Sequence, residues 1–372
     1  MFGRDRGAGV TEEAVMAALS TVQEPELGRD LVTLKMIENL KIDRGRVSFT
    51  VVLTTPACPL RSQIEEESRR AVAKVAGVQE VQVHFTSRVT PKFGAQSRQV
   101  LPGVSHAVAV ASGKGGVGKS TISVGLAIAL QQSGAKVGLL DADIYGPNAP
   151  MMMGVESPPS ASNGTIYPAE SHGVKLMSMG FFMQGNDAAV WRGPMVGKAV
   201  QELVGNVDWG QLDYLVIDLP PGTGDASLSL AQTVPLTGVV VVTTPQDVAL
   251  SDVAKSIDMF KKLNVPLLGL VENMSYFVCP HCNERSEIFG HGGELTAKKL
   301  DLHFLGEVPL HPAIRQGGDT GLPLLVTAPD SPQAQSLRSV AEQTAARISV
   351  LTLKNRPPSS VTNRTFIPLT PR

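Results

Sequence analysis

The sequence predicts an α/β protein, a mostly parallel sheet flanked by helices and preceded by a smaller α/β domain. Three observations carry that expectation. Short, unalternated Val/Leu/Ile-rich runs recur between helical stretches, and runs of this kind suit strands buried on both faces of a parallel sheet. A glycine-rich loop beginning at Gly113 follows one such run and opens a helix. At 372 residues the chain is also too long for one ordinary compact core, so two domains are expected.

The first domain spans residues 1–90. It reads as a helix over 11–22, a hairpin of strands 37–42 and 47–53 turning at Asp43-Arg44-Gly45, a helix over 60–75, and an alternating strand from Val78 to Phe85. Residues 91–105 hold Pro91, Gly94, Pro102 and Gly103 with little apolar periodicity, the composition of a linker. The second domain, 106–350, offers strands at 106–111, 136–140, 214–217, 238–243, 266–271 and 303–308, with helices including 121–132, 252–263 and 331–348. Residues 351–372, with Pro357, Pro358, Pro368 and Pro371, are expected to be a disordered tail.

Bulk composition narrows the function classes. Apolar residues make up 42% and charged residues 18%, which suits a globular chain, and no apolar run approaches the roughly 20 residues needed to cross a bilayer. The formal charge of −1 creates no field toward nucleic acid or anionic lipid, so neither nucleic acid nor membrane is an expected partner. Three cysteines, Cys58, Cys279 and Cys282, are too few for a disulfide framework and suggest a reducing compartment. The first residues lack the apolar stretch of a secretory signal, so a cytoplasmic location is expected.

Gly113-Lys114-Gly115-Gly116-Val117-Gly118-Lys119-Ser120 satisfies G-x-x-x-x-G-K-[ST] between a strand and the helix opened by Thr121. Glycines let backbone N–H groups converge on phosphate oxygens, and the helix N-terminus adds its positive dipole end. Residues Gly113 to Thr121 are therefore the expected ATP-binding loop. Lys119 should reach the β- and γ-phosphates, while Ser120 coordinates magnesium. Carboxylates at strand ends supply the remaining machinery: Asp143 is assigned to the attacking water and Asp218 to magnesium, whereas Asp141 reads as a loop cap. Gly222 and Gly224, after Asp218, permit a rearrangement that senses the γ-phosphate, with Asp225 beyond them.

Cys279-Pro280-His281-Cys282 admits zinc, iron-sulfur or dithiol chemistry. A redox pair normally opens a helix, whereas this one follows a strand, so redox chemistry is disfavoured. Two thiolates are half of a four-thiolate site, and Cys58 has no sequence reason to approach them. A homodimer whose pairs meet on the two-fold axis supplies four. Zinc would instead recruit His281 or His291.

The form GKGGVGKST resembles the deviant phosphate loop of the MinD/Mrp/nitrogenase iron-protein class, which implies a P-loop NTPase fold. In that class the lysine equivalent to Lys114 reaches the partner's nucleotide, implying a nucleotide-sandwich homodimer and a catalytic role beside Lys119, Asp143 and Asp218. The stretch VENMSYFVCPHCNERSEIFGHGGE is similar to the Mrp/ApbC signature, as are DADIYGPNAP, VWRGPMVGKAVQEL and EVPLHPAIRQGGDTGLP, so the match covers roughly 107–323. The resemblance implies that Cys279 and Cys282 hold a labile 4Fe-4S cluster bridging two subunits, and it places Asn273 at the base-binding position. Asn148 departs from the serine common in relatives.

QEPELGRDLV and TTPACPL resemble the small iron-sulfur-assembly domain, over about residues 10–88, with Cys58 at that family's cysteine. The implied function is an ATP-hydrolysing carrier that takes a 4Fe-4S cluster from donors and passes it to apo-proteins. The alternatives are a MinD/ParA-type positioning ATPase and a zinc-bound regulatory scaffold. Against the former, residues 354–372 show no helical stripe for a membrane surface.

Overall fold

The computed structural model describes residues 10–91, 100–155, 157–182, 199, 202–279, 281, 282 and 284–354. In the first part, α1 (Glu12–Leu19) starts where Thr11 Oγ1 accepts from the Ala14 N–H at 3.2 Å, with Glu12 and Glu13 facing the positive helix end. A short antiparallel pair follows, β1 (Gln23–Glu24) and β2 (Arg29–Asp30). Next come β3 (Ile37–Asp43) and β4 (Arg46–Leu53), joined where Arg44 and Gly45 take φ of 49° and 86°. Two successive positive φ values match the twist of the flanking strands, which is why this turn closes the hairpin. Helix α2 (Arg61–Ala73) then crosses over to β5 (Glu80–Ser87), which pairs parallel with β4. Val15, Leu19, Leu31, Phe49, Ile64 and Val72 form the core of this unit.

From Val104 onward the chain builds a sheet that is nine-stranded among the described residues. The elements of this part are β6 (Val104–Ser112), α3 (Lys119–Gln132), β7 (Val137–Asp141), α4 (Ala149–Met152), β8 (Ser160–Ser162) and β9 (Thr165–Tyr167), which form a separate antiparallel pair, then β10 (Ala169–Ser171), β11 (Val174–Ser178) and β12 (Leu212–Asp218). They continue with α5 (Asp225–Thr233), β13 (Gly238–Thr243), α6 (Asp247–Lys262), β14 (Leu267–Val278), β15 (Arg285–Ser286) and α7 (Gly293–Lys299). The last are β16 (Phe304–Leu310), α8 (Pro312–Thr320), α9 (Leu324–Thr327) and α10 (Pro332–Lys354). Strand order is β10-β11-β7-β12-β6-β13-β14-β15, with β16 also on β14; only β10 and β15 join antiparallel. β7 and β13 are buried end to end and β6 at every position but Ser105, as strands covered on both faces require.

Several expectations shift. β14 runs to Val278 rather than stopping at 271, because the polar side chains of Glu272, Asn273 and Ser275 are buried with partners from distant segments. β11, whose apolar run is broken by Lys175 and Ser178, joins the sheet beside β7, where no strand was expected. Helix α6 begins at Asp247, not 252, and α10 reaches Lys354, so residues 351–354 are helix and Thr352 is buried. The rest of the expected tail lies outside the described residues. Of the expected linker, 92–99 lie outside them too, while Leu101 is buried and Val104 already belongs to β6.

The two parts touch near the end of β12 opposite the phosphate loop. Buried Tyr214 donates its hydroxyl to Thr55 Oγ1 at 3.0 Å, and Ala57 joins the larger core. Burial pushes the Tyr214 phenol up, so the hydroxyl stays a donor. Glu24 is buried and accepts from the Leu27 N–H at 2.6 Å. Glu26 is pushed up to about 7, first by burial and then by the Glu24 charge, while Arg347 of α10 opposes the shift.

A carboxyl raised in the fold stabilises below its unfolded pKa, here near 4.5, and loses that contribution as pH rises through about 7. Glu26→Gln should therefore be more stable than the parent at pH 8 by about 1 kcal/mol, discounted for partial exposure, and equal to it near pH 4.5. Urea unfolding at the two pH values checks this, and an identical gap at both would contradict it.

Candidate functional site

Residues 113–118 bridge β6 and α3. Gly116 and Gly118 hold φ of 79° and 81°, a left-handed conformation that a side chain would strain. Gly118 is constrained twice, since a Cβ there would lie 2.1 Å from Asn273 Nδ2. The loop thus wraps the N-terminus of α3 closely enough to present backbone N–H groups to an anion. A cleft of about 360 Å³ lies over it, lined by Lys114, Gly115, Gly116, Gly118, Lys119, Ser120, Thr121 and Asp143, with Arg315 of α8 across from them.

Lys119 is 6% exposed and cannot be left unpaired at that depth. Its Nζ donates to Asp218 Oδ1 at 2.8 Å and stands 3.5 Å from Asp143 Oδ2. Ser120 Oγ donates to Asp218 Oδ2 at 2.5 Å, and Ser123 Oγ to Oδ1 at 2.7 Å. A hydroxyl and a carboxylate in contact at the head of the cleft are oxygen donors of the kind magnesium takes. Burial raises the Asp143 carboxyl and Lys119 pulls it back. Asp141 is fully buried and accepts from the Asp143 and Ala149 N–H groups and from Ser178 Oγ, which makes it a brace for the loop after β7. Burial and the Asp218 charge push its carboxyl up.

Lys114 lines the same cleft, and among the described residues it makes no ion pair. Its carbonyl accepts from Ser112 Oγ at 2.9 Å, which holds the backbone while leaving the ammonium uncommitted. Gly113 lets α6 press on the loop, because a Cβ would fall 2.4 Å from the Asp252 carbonyl carbon.

Asn273 does not line the cleft. It is 4% exposed within β14, and its Nδ2 donates to the Val117 carbonyl at 2.8 Å, so the amide is committed to the loop backbone. In this arrangement Asn273 makes a bracing contact with the loop. Directly after it, Met274 takes φ of 55°, and the pairing of β14 with β16 shifts register between Asn273 and Phe277. That bulge turns the strand toward the cysteines.

Cys279 follows β14, and its N–H donates to the Glu284 carbonyl at 3.0 Å while β15 pairs back onto Phe277 and Val278. The pair therefore sits at a hairpin tip, Cys279 half-buried and Cys282 exposed. The Cys279 thiol is lowered by the N–H groups of His281 and Cys282 and by the Cys282 thiol, which favours the thiolate a metal needs. Cys58 is not brought to this tip. It packs on the small unit's core, and burial, followed by the Glu26 and Glu24 charges, pushes its thiol up to about 11. That direction disfavours the Cys58 thiolate.

A family model described as "NUBPL iron-transfer P-loop NTPase" matches residues 103–345, and one described as "Iron-sulfur cluster assembly protein" matches 12–84. The chain belongs to the NUBPL iron-transfer P-loop NTPase family. Similar relatives include the iron-sulfur cluster carrier protein of Deinococcus radiodurans, 50% identical over 93% of this chain and 98% of its own length. The protein of the same name from Synechocystis is 46% identical over 92% of this chain and 99% of its own. Among solved structures, the nucleotide-binding protein of Archaeoglobus fulgidus, in complex with ADP and with cobalt, has a TM-score of 0.57 at 37% identity. It covers 64% of this chain and 94% of that one.

In this NUBPL-family chain the structure adds residues that the sequence left unassigned. Ser123 lies one helical turn after Ser120, a spacing that signals a shared face toward Asp218. Arg315 reaches the cleft from α8, whose helix no apolar stripe announced. His291, a zinc candidate, faces Glu272 Oε1 at 3.3 Å.

If Asn273 serves only to brace the loop, Asn273→Ala should weaken ATP and GTP binding by the same factor, about tenfold for a lost buried hydrogen bond. Calorimetry with both nucleotides checks this; a loss confined to ATP would restore base recognition.

Proposed function

We propose that this chain hydrolyses ATP and carries a labile 4Fe-4S cluster between two copies of itself, passing it from cluster donors to apo-proteins. One observation carries the reading. A single strand, β14, braces the phosphate loop through Asn273 and six residues later delivers Cys279 to an open hairpin tip. Two copies would offer four thiolates, a full set for one cluster. Relatives over more than nine-tenths of this chain are named iron-sulfur cluster carrier proteins, and the Archaeoglobus protein holds ADP and cobalt.

Exposed apolar side chains support coverage by a second copy. Tyr145 and Met151 stand beside the cleft at 74% and 55% exposure, and Ile288, just after β15, is 54% exposed. In such a dimer Lys114 reaches the partner's nucleotide. Within one copy, phosphate draws Lys119 from Asp218 and Asp143 orients the attacking water. Magnesium, held by Ser120 and Asp218, would supply charge to offset the phosphates. Among the described residues no helix is long and apolar enough to cross a membrane, and the cytoplasm is the proposed location.

After anaerobic reconstitution the parent should hold about four irons per dimer, lost in both Cys279→Ala and Cys282→Ala but kept in Cys58→Ala. Zinc alone, or iron indifferent to both substitutions, would defeat the carrier reading. Lys119→Ala should abolish ATP turnover, and retained turnover would remove the loop from the chemistry.

A further inference from the structure

At the base of the hairpin whose tip bears Cys279, a second set of ligating atoms converges. One ligand atom each from Glu272, His291 and Glu307 lies within 4.8 Å of the other two. His291 Nδ1 and Glu272 Oε1 stand 3.3 Å apart. Nitrogen and oxygen donors about 2.0–2.2 Å from a tetrahedral ion lie roughly 3.4 Å from each other, so this pair already spans one edge of a coordination shell.

The surroundings hold the donors in place. Glu272 is fully buried, and its Oε2 accepts from the Gly292 N–H at 3.2 Å and from the Gly293 N–H, leaving Oε1 toward His291. Gly293 admits no side chain, because a Cβ would come 2.6 Å from Glu272 Oε2. Arg285 grips Glu307 in a fork, Nη1 to Oε1 at 2.9 Å and Nη2 to Oε2 at 3.1 Å. Ser275 Oγ lies 2.5 Å from Glu272 Oε1 and 3.1 Å from Glu307 Oε2.

Arg285 neutralises Glu307, and the Ser275 hydroxyl has one proton for the two carboxylates, so the cation at Glu272 Oε1 is either a protonated His291 or a metal ion that the imidazole helps to hold. Merely capping α7 would need Glu272 alone and would leave the convergence of an imidazole and a second carboxylate without purpose. His291 is one-third exposed, which gives an ion a way in.

We propose that Glu272, His291 and Glu307 form a binding site for a divalent first-row transition-metal ion, with Ser275 and Arg285 as positioning residues. Two carboxylates and an imidazole suit Fe²⁺, Co²⁺ or Zn²⁺ better than the all-oxygen shell preferred by magnesium or calcium. The site uses none of the cysteine sulfurs, so it stands or falls apart from the carrier reading.

The test uses the full chain with both Cys279→Ala and Cys282→Ala, titrated anaerobically with Co²⁺ alone. One equivalent should bind with weak visible d–d bands and no sulfur-to-cobalt charge-transfer band. Adding His291→Ala, or separately Glu307→Gln, should weaken that binding at least about tenfold while the circular dichroism spectrum of the folded protein stays unchanged. No saturable binding in the cysteine-free protein, or binding that survives both added substitutions, would overturn the proposal.

Discussion

The ion pair between Lys119 and Asp218 fixes the arrangement on which the rest of the site depends. A lysine this deep in the fold requires a counter-charge, and Asp218 meets it only because β12 lies between β6 and β7, the strands that lead into the phosphate loop and the Asp143 loop. Ser120 and Ser123 occupy the remaining faces of the carboxylate, so one acid organises the first turn of α3. Asp141 and Asp143 crowd the same strand ends and are pushed toward protonation by burial. Anionic phosphate entering the cleft therefore meets a cation already desolvated and aimed.

β14 runs from beneath this loop to the hairpin that bears the cysteines. Its Asn273 holds the Val117 carbonyl from below, and Gly118 leaves no gap between loop and amide. Beyond Asn273, the left-handed Met274 and the shifted register against β16 give the strand a bend that depends on its neighbours rather than on its own sequence. Ser275 then ties the bend to Glu272 and Glu307, and Arg285 closes the hairpin by pairing with Glu307 and lying 3.8 Å over the Tyr276 ring. A packed, hydrogen-bonded ribbon thus connects the phosphate loop to the cysteines. Such a ribbon has few intermediate positions available to it.

What could be read in advance followed local chemistry. The apolar runs around Val108, Leu139, Val216 and Val241 announced their strands, and the spacing from Gly113 to Ser120 announced the loop, because both depend on neighbours in sequence. The contact between Asn273 and the loop could not be read in advance, since Val117 lies 156 positions away and no local pattern points to it. The full length of β14 was hidden for the same reason: Glu272 and Ser275 look like a turn until Gly293 and Glu307 are seen to satisfy them. Glu24 and Glu26 read as a solvated acidic loop until α10 is found against them, with Arg347 from a helix that runs further than its sequence suggested.

If the phosphate loop is coupled to the cysteine pair through β14, nucleotide should alter how fast iron leaves the hairpin. The most direct measurement is the rate at which a chelator strips iron from the reconstituted protein, without nucleotide, with ADP and with ATP, in the parent and in Asn273→Ala. The account predicts that nucleotide changes the parent's rate by about tenfold, a coupling of about 1.4 kcal/mol, and that Asn273→Ala at saturating nucleotide loses most of that response. A parent whose iron leaves at one rate in all three states would contradict it.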